Sequence, residues 1–498
     1  MSTIHLWDNS SYCINEGATL STRYLDLPVS RGKPKQDVIE SLRVFSSYTI
    51  REMMNADKVD VIVWPQSFIE GFEAIKDQYI FRITEKDGAK IDSITTGNIV
   101  GFIGKGDTHI RIHSRFSATE KNEKKENEKK ENEKKGNDYF LIYMLEKVMA
   151  VNLFDFKTKS SSDKDRVFDL LIFFFPKLLK DALSQGLYKK YVYREYNDSN
   201  IRGVVDVNRH IRYNIPANGR IAYRTREFSS DNEVTQLIRH TIEFIRRKRN
   251  AKQILHNDPD TESFVQQIVQ ATPTFQAQKR QVIINMNLRP VVHPYYTKYA
   301  ALQNLCLRIL RYDKLSYEAS NDKKIHGLLI DAAWLWEEYI AKVLSEGTNL
   351  KHYTSRNSDF RLFKKDGKPF QRIIPDYYDE ANGVVADAKY MPLHLYDHLD
   401  SERATSVYYK TIMYMYRFNT KKGFLFYPYN KEEDDEHKIV SEYQIEDHTD
   451  CHLYEIGLEI EETDTDTDYT VYRDNMAKNE EEFVKRVNNY INDISQNN

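Results

Sequence analysis

The stretch 372–390, RIIPDYYDEANGVVADAKY, constrains this chain more than any other. Two apolar runs flank Asn382-Gly383, a dipeptide favoured in the tight primed turns that close hairpins. We therefore expect a strand over 373–378, a turn, and a returning strand over 384–390. Three ionisable side chains, Asp376, Asp387 and Lys389, interrupt these otherwise apolar strands. A lone buried charge is costly, so the three call for a joint explanation.

Side chains alternate along a strand, so Asp387 and Lys389 share one face and Ala388 takes the other. Ten residues separate Asp376 from Asp387, and the adjacent strand can set the two acids side by side. Neighbouring carboxylates repel each other, and a hard divalent cation with oxygen ligands relieves that repulsion. Magnesium so placed activates water and stabilises charge on a scissile phosphate. An ammonium beside it orients the water and offsets the developing charge. The structural alternative is an exposed hairpin in which Asp387 and Lys389 form a same-face ion pair.

The surroundings are read from periodicity. Residues 325–344 place apolar side chains at helical spacing, 405–418 read as a second helix, and 423–427 as a buried strand. Helix, hairpin, helix, strand is the order of a small α/β nuclease core. A third carboxylate often comes from the helix before such a hairpin. Glu337 and Glu338, in WLWEEYI, both flank the apolar stripe, and periodicity does not choose between them.

A chain of 498 residues exceeds one ordinary core, and three segments are expected: a β-rich 1–160, a helical and β-containing 161–310, and a nuclease-like 311–498. The fold class is mixed α/β. In the first segment we read a helix over 37–54, a strand over 59–64, and a hairpin over 79–94 turning at Asp87-Gly88. A second strand pair, 99–103 and 109–113, surrounds Gly104-Lys105-Gly106. That turn is no phosphate loop, because Gly106 follows the lysine where Ser or Thr is needed and Ile99 stands where the first glycine belongs. Residues 120–135 carry 13 charges in 16 positions, six Glu and seven Lys, and read as a solvated insert. Beyond it come helices over 140–151 and 167–183, strands over 191–196 and 203–207, and a helix from about Asp231. That helix ends in Arg246-Arg247-Lys248-Arg249. The helix dipole alone favours cations there, while phosphate contact by Arg246 and Arg247 is the functional reading.

Net charge is −3, so positive charge for a nucleic acid must be concentrated locally or borrowed from a partner. No run approaches the roughly 18 apolar residues of a membrane span, and the N-terminus lacks signal-peptide features. Cys13, Cys306 and Cys451 lie far apart with no CxxC pair, which excludes a zinc knuckle and fits a reducing cytoplasm.

Several separated stretches together resemble the McrC family, the nuclease subunit of McrBC-type modification-dependent restriction systems. They are YREYNDSNIRGVVDVNRHIRYNIP, TREFSSDNEVTQLIRHTIEFI, WEEY, IIPDYY with VVADAKY, and YKTIMYMYRF followed by GFLFYP. The resemblance covers roughly 95–430 in family order. It implies a PD-(D/E)xK nuclease with Asp376, Asp387 and Lys389 at its magnesium site. It also selects Glu337 as the third carboxylate of the metal site, since its position matches the glutamate of the family's helix. Where the family usually carries Gln four residues before a Tyr, this chain departs with Lys410 before Tyr414; a lysine there can touch a phosphate, and Lys410 and Tyr414 are both candidate DNA contacts. The resemblance further implies a cytoplasmic bacterial or archaeal protein that cuts double-stranded DNA carrying modified cytosine. Its partner would be a McrB-like AAA+ GTPase hexamer that binds the GTP, docks the N-terminal region and is stimulated by it. Two rival readings are a stand-alone PD-(D/E)xK restriction or repair nuclease and a non-catalytic regulator of the GTPase. The insert 120–135 and the tail after 430 match nothing in the family pattern.

Overall fold

The computed structural model of the chain describes residues 2–14, 23–25, 29–30, 33–34, 36–55, 59–65, 78–86, 90–106, 108–117, 138–149, 171–248, 252–256, 258–318, 325–354, 357–391, 402–431, 439–463 and 468–492. The insert 120–135 and the Asp87-Gly88 turn lie outside the described residues. The chain is mixed α/β and divides into two compact units. One combines residues 1–65, 73–148 and 323–498; the other holds 66–72 and 149–322.

In the first unit a five-stranded sheet runs in the order Ser2–Trp7, Thr108–His113, Ile99–Lys105, Ile325–Asp331, Val59–Trp64. Residues 325–331 are therefore a strand and not the first two turns of a helix. The apolar spacing fits both periods, and pairing decides: the segment bonds antiparallel to Ile99–Lys105 and parallel to Val59–Trp64. Gly327 marks the close approach, since a Cβ there would stand 2.4 Å from the Phe102 carbonyl oxygen. The helix begins only at Ala332, where the Asp331 carboxylate accepts from the backbone N–H of Ala333 and Trp334.

A four-stranded sheet built around Ser11–Cys13, Lys90–Thr96 and Phe81–Lys86 shares a core with this sheet, filled by Leu6, Leu42, Phe45, Ile94, Ile103 and Leu329 among others. Burying each such side chain contributes about 2 kcal/mol. The expected single helix over 37–54 is two, Gln36–Ser47 and Ile50–Asn55. Thr49 interrupts them with a reciprocal cap: its N–H donates to Glu52 (2.8 Å) while its hydroxyl accepts from the Glu52 N–H (3.2 Å).

The same unit carries a six-stranded sheet in the order Lys351–His352, Tyr377–Asp379, Val384–Ala388, Lys422–Tyr429, His448–Glu459, Val440–Ile445. The last two strands and the helix Tyr469–Ile491 come from the tail after 430, which completes this core. Register sorts the faces. Ala386 lies beside Phe424, and Phe426 meets Phe483 of the C-terminal helix edge to face. On the opposite face Val385 packs on Tyr414 and Met415, and Leu425 on Val407, all from helix Glu402–Phe418. Gly423 lets that helix approach, because a Cβ there would meet Met415 Sδ at 2.7 Å.

The second unit holds a three-stranded sheet, Lys190–Asp198, Ile221–Ser229 and Val204–Val205 in order, with helices that include Glu233–Arg247 and Tyr299–Glu318. The expected strand over 203–207 stops at Val205, since the Asp206 side chain accepts from the Arg209 N–H and starts a helix at Val207. Asn232 caps Glu233–Arg247 through the N–H groups of Val234 and Thr235. Leu237, Ile238, Ile242 and Ile245 give that helix its buried stripe.

Candidate functional site

The hairpin that carries the acids differs in detail from the expected one. Its first strand is Tyr377–Asp379, with 373–376 leading into it. The turn spans Glu380 to Gly383 and is not the two-residue primed kind, since Gly383 (φ 61°) is positive and Asn382 is not. Asp379 takes over: its buried carboxylate accepts from the backbone N–H of Ala381 and Asn382 and from the Asn382 side-chain amide.

Tyr377 pairs with Ala386 and Tyr378 with Val385, so the next position along the ladder sets Asp376 across from Asp387. The Ala388 N–H donates to Asp376 Oδ2 at 2.8 Å, and the Asp376 carbonyl accepts from the Tyr353 N–H at 2.9 Å. The first contact fixes the acid's side chain against the second strand, and the other fixes its backbone to the segment after Lys351–His352. Asp387 is fully buried, on the face covered by Glu402–Phe418. Its Oδ2 accepts from Lys389 Nζ and, at 3.4 Å, from Lys410 Nζ. Lys389 is tethered in turn by its N–H to the Phe426 carbonyl (2.8 Å).

The electrostatics of the acid pair are lopsided. Burial pushes the Asp376 carboxyl well above the usual range, and the Asp387 and Glu337 carboxylates push it further. Burial also opposes ionisation of Asp387, but Lys389 and Lys410 outweigh it and hold that carboxyl below the usual range. Neighbouring carboxylates in a buried site repel each other, so the charge held on Asp387 by the two lysines is itself one of the causes that raise Asp376. Asp387 Oδ1 is buried, and no N–H or hydroxyl donor reaches it.

Those features fit a divalent cation between the two acids, with Asp376 and Asp387 as its protein ligands. Among the described residues no group of three or more His, Cys, Asp or Glu side chains could hold one ion, so the expected third ligand, Glu337, does not join the two acids around one position. Two carboxylates with the remaining positions left to water and phosphate is a magnesium pattern, not a calcium or zinc cage.

Glu337 projects from helix Ala332–Ser345 and is the glutamate whose charge acts on Asp376. His352 holds it through Nε2 to Oε1 at 3.0 Å. Although burial opposes protonation of His352, the bond to Glu337 and the charges of Glu338 and Glu337 raise its pKa. The Tyr377 hydroxyl donates to the Glu337 carbonyl at 2.5 Å, tying helix to hairpin. Neither His352 nor Tyr377 carries a signal in the sequence, because each acts through a neighbour that only the fold supplies.

Lys410 is half exposed beside the acids, and its own pKa is raised chiefly by Asp387. Tyr414 sits one turn on with its ring 5.3 Å from Lys410 Nζ. Its hydroxyl is committed to the Ile374 carbonyl at 2.7 Å, so it props the lead-in to Asp376 and is buried. Arg246 and Arg247 belong to the other unit, at the end of Glu233–Arg247. There Arg246 pairs with Glu243 at 2.8 Å and Arg247 is exposed.

No curated protein matches the sequence. Among solved structures the chain is similar to a refined half-complex from the tetradecameric assembly of Thermococcus gammatolerans McrB AAA+ hexamers with bound McrC. That likeness has 14% identity and a TM-score of 0.44 over 98% of this chain and 100% of the other. It is also similar to the cryo-EM structure of the Thermococcus gammatolerans McrBC complex, at 15% identity and a TM-score of 0.29 over 70% and 88%. At such scores membership rests on the sequence match instead. The family described as McrBC 5-methylcytosine restriction system component matches residues 94–428. Since that span is most of the chain and takes in Glu337, Asp376, Asp387, Lys389 and Lys410 with the elements that hold them, this protein belongs to the family of McrBC 5-methylcytosine restriction system components.

Proposed function

We propose that the chain is the DNA-cutting subunit of its restriction system, a magnesium-dependent endonuclease with a PD-(D/E)xK core. The observation that carries the reading is the pair Asp376 and Asp387 set across a hairpin, with a buried oxygen that no donor satisfies and Lys389 on the same carboxylate. A merely structural ion pair would need no second acid beside it. When bound, magnesium supplies the acidity that turns water into a nucleophile and the charge that offsets the phosphate.

The chain's own residues do the rest. Asp376 and Asp387 would hold the ion, and Glu337, steadied by His352, lines the acidic wall from the helix side. Lys389 is placed to hold a non-bridging phosphate oxygen and to offset the charge that builds there. Lys410, half exposed and already drawn to Asp387, offers a second cation to the DNA backbone.

Family membership supports the wider setting: a McrB-like AAA+ GTPase hexamer binds the GTP, finds double-stranded DNA carrying modified cytosine, and recruits this subunit. Double-strand cleavage would then need two such sites. The test is cleavage of a methylcytosine-containing plasmid by the chain with its GTPase partner, GTP and Mg²⁺. The parent cuts, and Asp387→Ala loses at least about 10²–10³-fold while still stimulating the partner's GTPase. Parent-level cutting by Asp387→Ala would falsify the proposal. Cutting by the parent without partner or GTP would favour a stand-alone nuclease.

A further inference from the structure

A basic hairpin stands directly upstream of Asp376. Among the described residues, strands Arg361–Lys365 and Lys368–Arg372 pair only with each other. The hairpin continues the edge of the six-stranded sheet, because the Ile373 N–H donates to the Phe360 carbonyl at 3.0 Å and the Tyr353 N–H to the Asp376 carbonyl. It is closed by Asp366 and Gly367, both with positive φ (51° and 76°), the backbone of a rigid primed turn. Its root is clamped: Asp359 bridges Arg361 and Arg372, and Arg417 Nε donates to the Arg361 carbonyl at 2.6 Å.

The register of this ribbon is unusual. Arg361 faces Arg372, Phe363 faces Phe370, and Lys365 faces Lys368, all on one side. Like charges directly opposite one another destabilise a hairpin, and the two phenylalanines between them remain about half exposed (50% and 52%). Residues 361–372 hold five cations and one acid in a chain of net charge −3. Lys364, Lys365 and Lys368 are exposed, and among the described residues none of them has an acidic partner. Asp359 offsets the arginine pair at the root, whereas a polyanion with apolar surface between its charges would relieve the lysines and cover the phenylalanines.

We propose that the ribbon 361–372 is a DNA-docking element that enters the major groove of the duplex being cut. There its lysines would meet phosphates, and the Phe363–Phe370 pair would lie against the apolar groove surface. A two-stranded ribbon fits the roughly 12 Å width of that groove. The inference rests on the proposed nuclease function for its choice of ligand, and it adds the means by which substrate reaches Asp376, four residues from the ribbon's end.

The experiment is fluorescence anisotropy of the full chain with a 30-base-pair duplex, without divalent metal, over a salt series, paired with the cleavage assay. Substituting Lys364, Lys365 and Lys368 together by Ala weakens binding at least about tenfold and lowers the slope of log affinity against log salt by about 2 to 3. Phe363→Ser with Phe370→Ser weakens binding several-fold and leaves the slope unchanged. Thermal melting of the lysine variant stays at or slightly above the parent value, and that of the phenylalanine variant stays close to it, since the ribbon is exposed. If both variants bind with parent affinity and slope, docking by the ribbon is overturned even where the parent cuts DNA. If they lose binding as stated and the parent never cuts under any condition, docking stands and the nuclease reading falls.

Discussion

Two acid clusters in the first unit invite comparison. Asp138 is buried and satisfied on both oxygens: His113 Nδ1 lies 3.1 Å from each, and Arg111 donates to Oδ2 at 3.0 Å. Burial would raise its pKa, yet His113 and Arg111 hold it well below the usual carboxylate range. Asp387 is also buried and also held low by cations, but it faces a second acid and keeps one oxygen without a donor. The first cluster is complete without any ligand. The second is left with repulsion and an unmet oxygen, and residues held in such a state are arranged for something that arrives later.

The comparison predicts opposite outcomes for the same substitution. Asp138→Ala strands Arg111 and His113 and should cost about 3–5 kcal/mol of stability, read by denaturant unfolding. Cleavage per folded molecule should stay at the parent level. Asp387→Ala should lose at least about 10²–10³-fold in cleavage with far less change in unfolding. If Asp138→Ala proves as stable as the parent, the distinction between the clusters collapses.

A smaller effect separates the positioning shell from the acids. His352→Gln should lower cleavage by roughly tenfold, as loss of a group that orients a site carboxylate generally does. Because Glu337 raises the His352 pKa, the imidazolium contributes stability that is fully present below about pH 6.5 and is lost as pH rises through the folded value. The unfolding difference between parent and variant should therefore be about 1 kcal/mol at pH 5.5 and shrink at pH 8.5. A difference that grows with pH would contradict the assigned pair.

The smallest effect is one of sign. Asp376 has a raised pKa, so above the unfolded value near 3.9 it holds a proton the unfolded chain would release, and folding is penalised as pH rises. Asp376→Asn removes that penalty and should leave stability at pH 7 equal to or above the parent. Asp138, with a depressed pKa, stabilises above pH 3.9 and loses that contribution on acidification. Thermal melts from pH 3 to pH 7 check both, and a clear loss of stability in Asp376→Asn at pH 7 would place Asp376 with the structural acids.

Much of the candidate site was legible because its residues are local. Asp376, Asp387 and Lys389 lie within one hairpin, and strand alternation alone says which of them share a face. What was missed is non-local. Residues 325–331 have a spacing that fits a helix, and only strands more than two hundred residues earlier make them a strand. The tail after 430 carries no motif, yet its long strand His448–Glu459 pairs in parallel with Lys422–Tyr429, a partner the sequence does not announce. His352 and Tyr377 hold Glu337 across elements, so no spacing rule could find them. The hairpin turn was misjudged for a different reason: Asn382-Gly383 has the right residues for a primed turn, but Asp379 captures the backbone first.

The central claim is that Asp376 and Asp387 share one divalent ion. Crystals of the chain soaked in Mn²⁺ and measured for anomalous scattering test it directly. A single peak between the two carboxylates, absent from crystals of Asp387→Ala, is the expected result. No peak there at millimolar Mn²⁺, or a peak that survives the substitution, would contradict it.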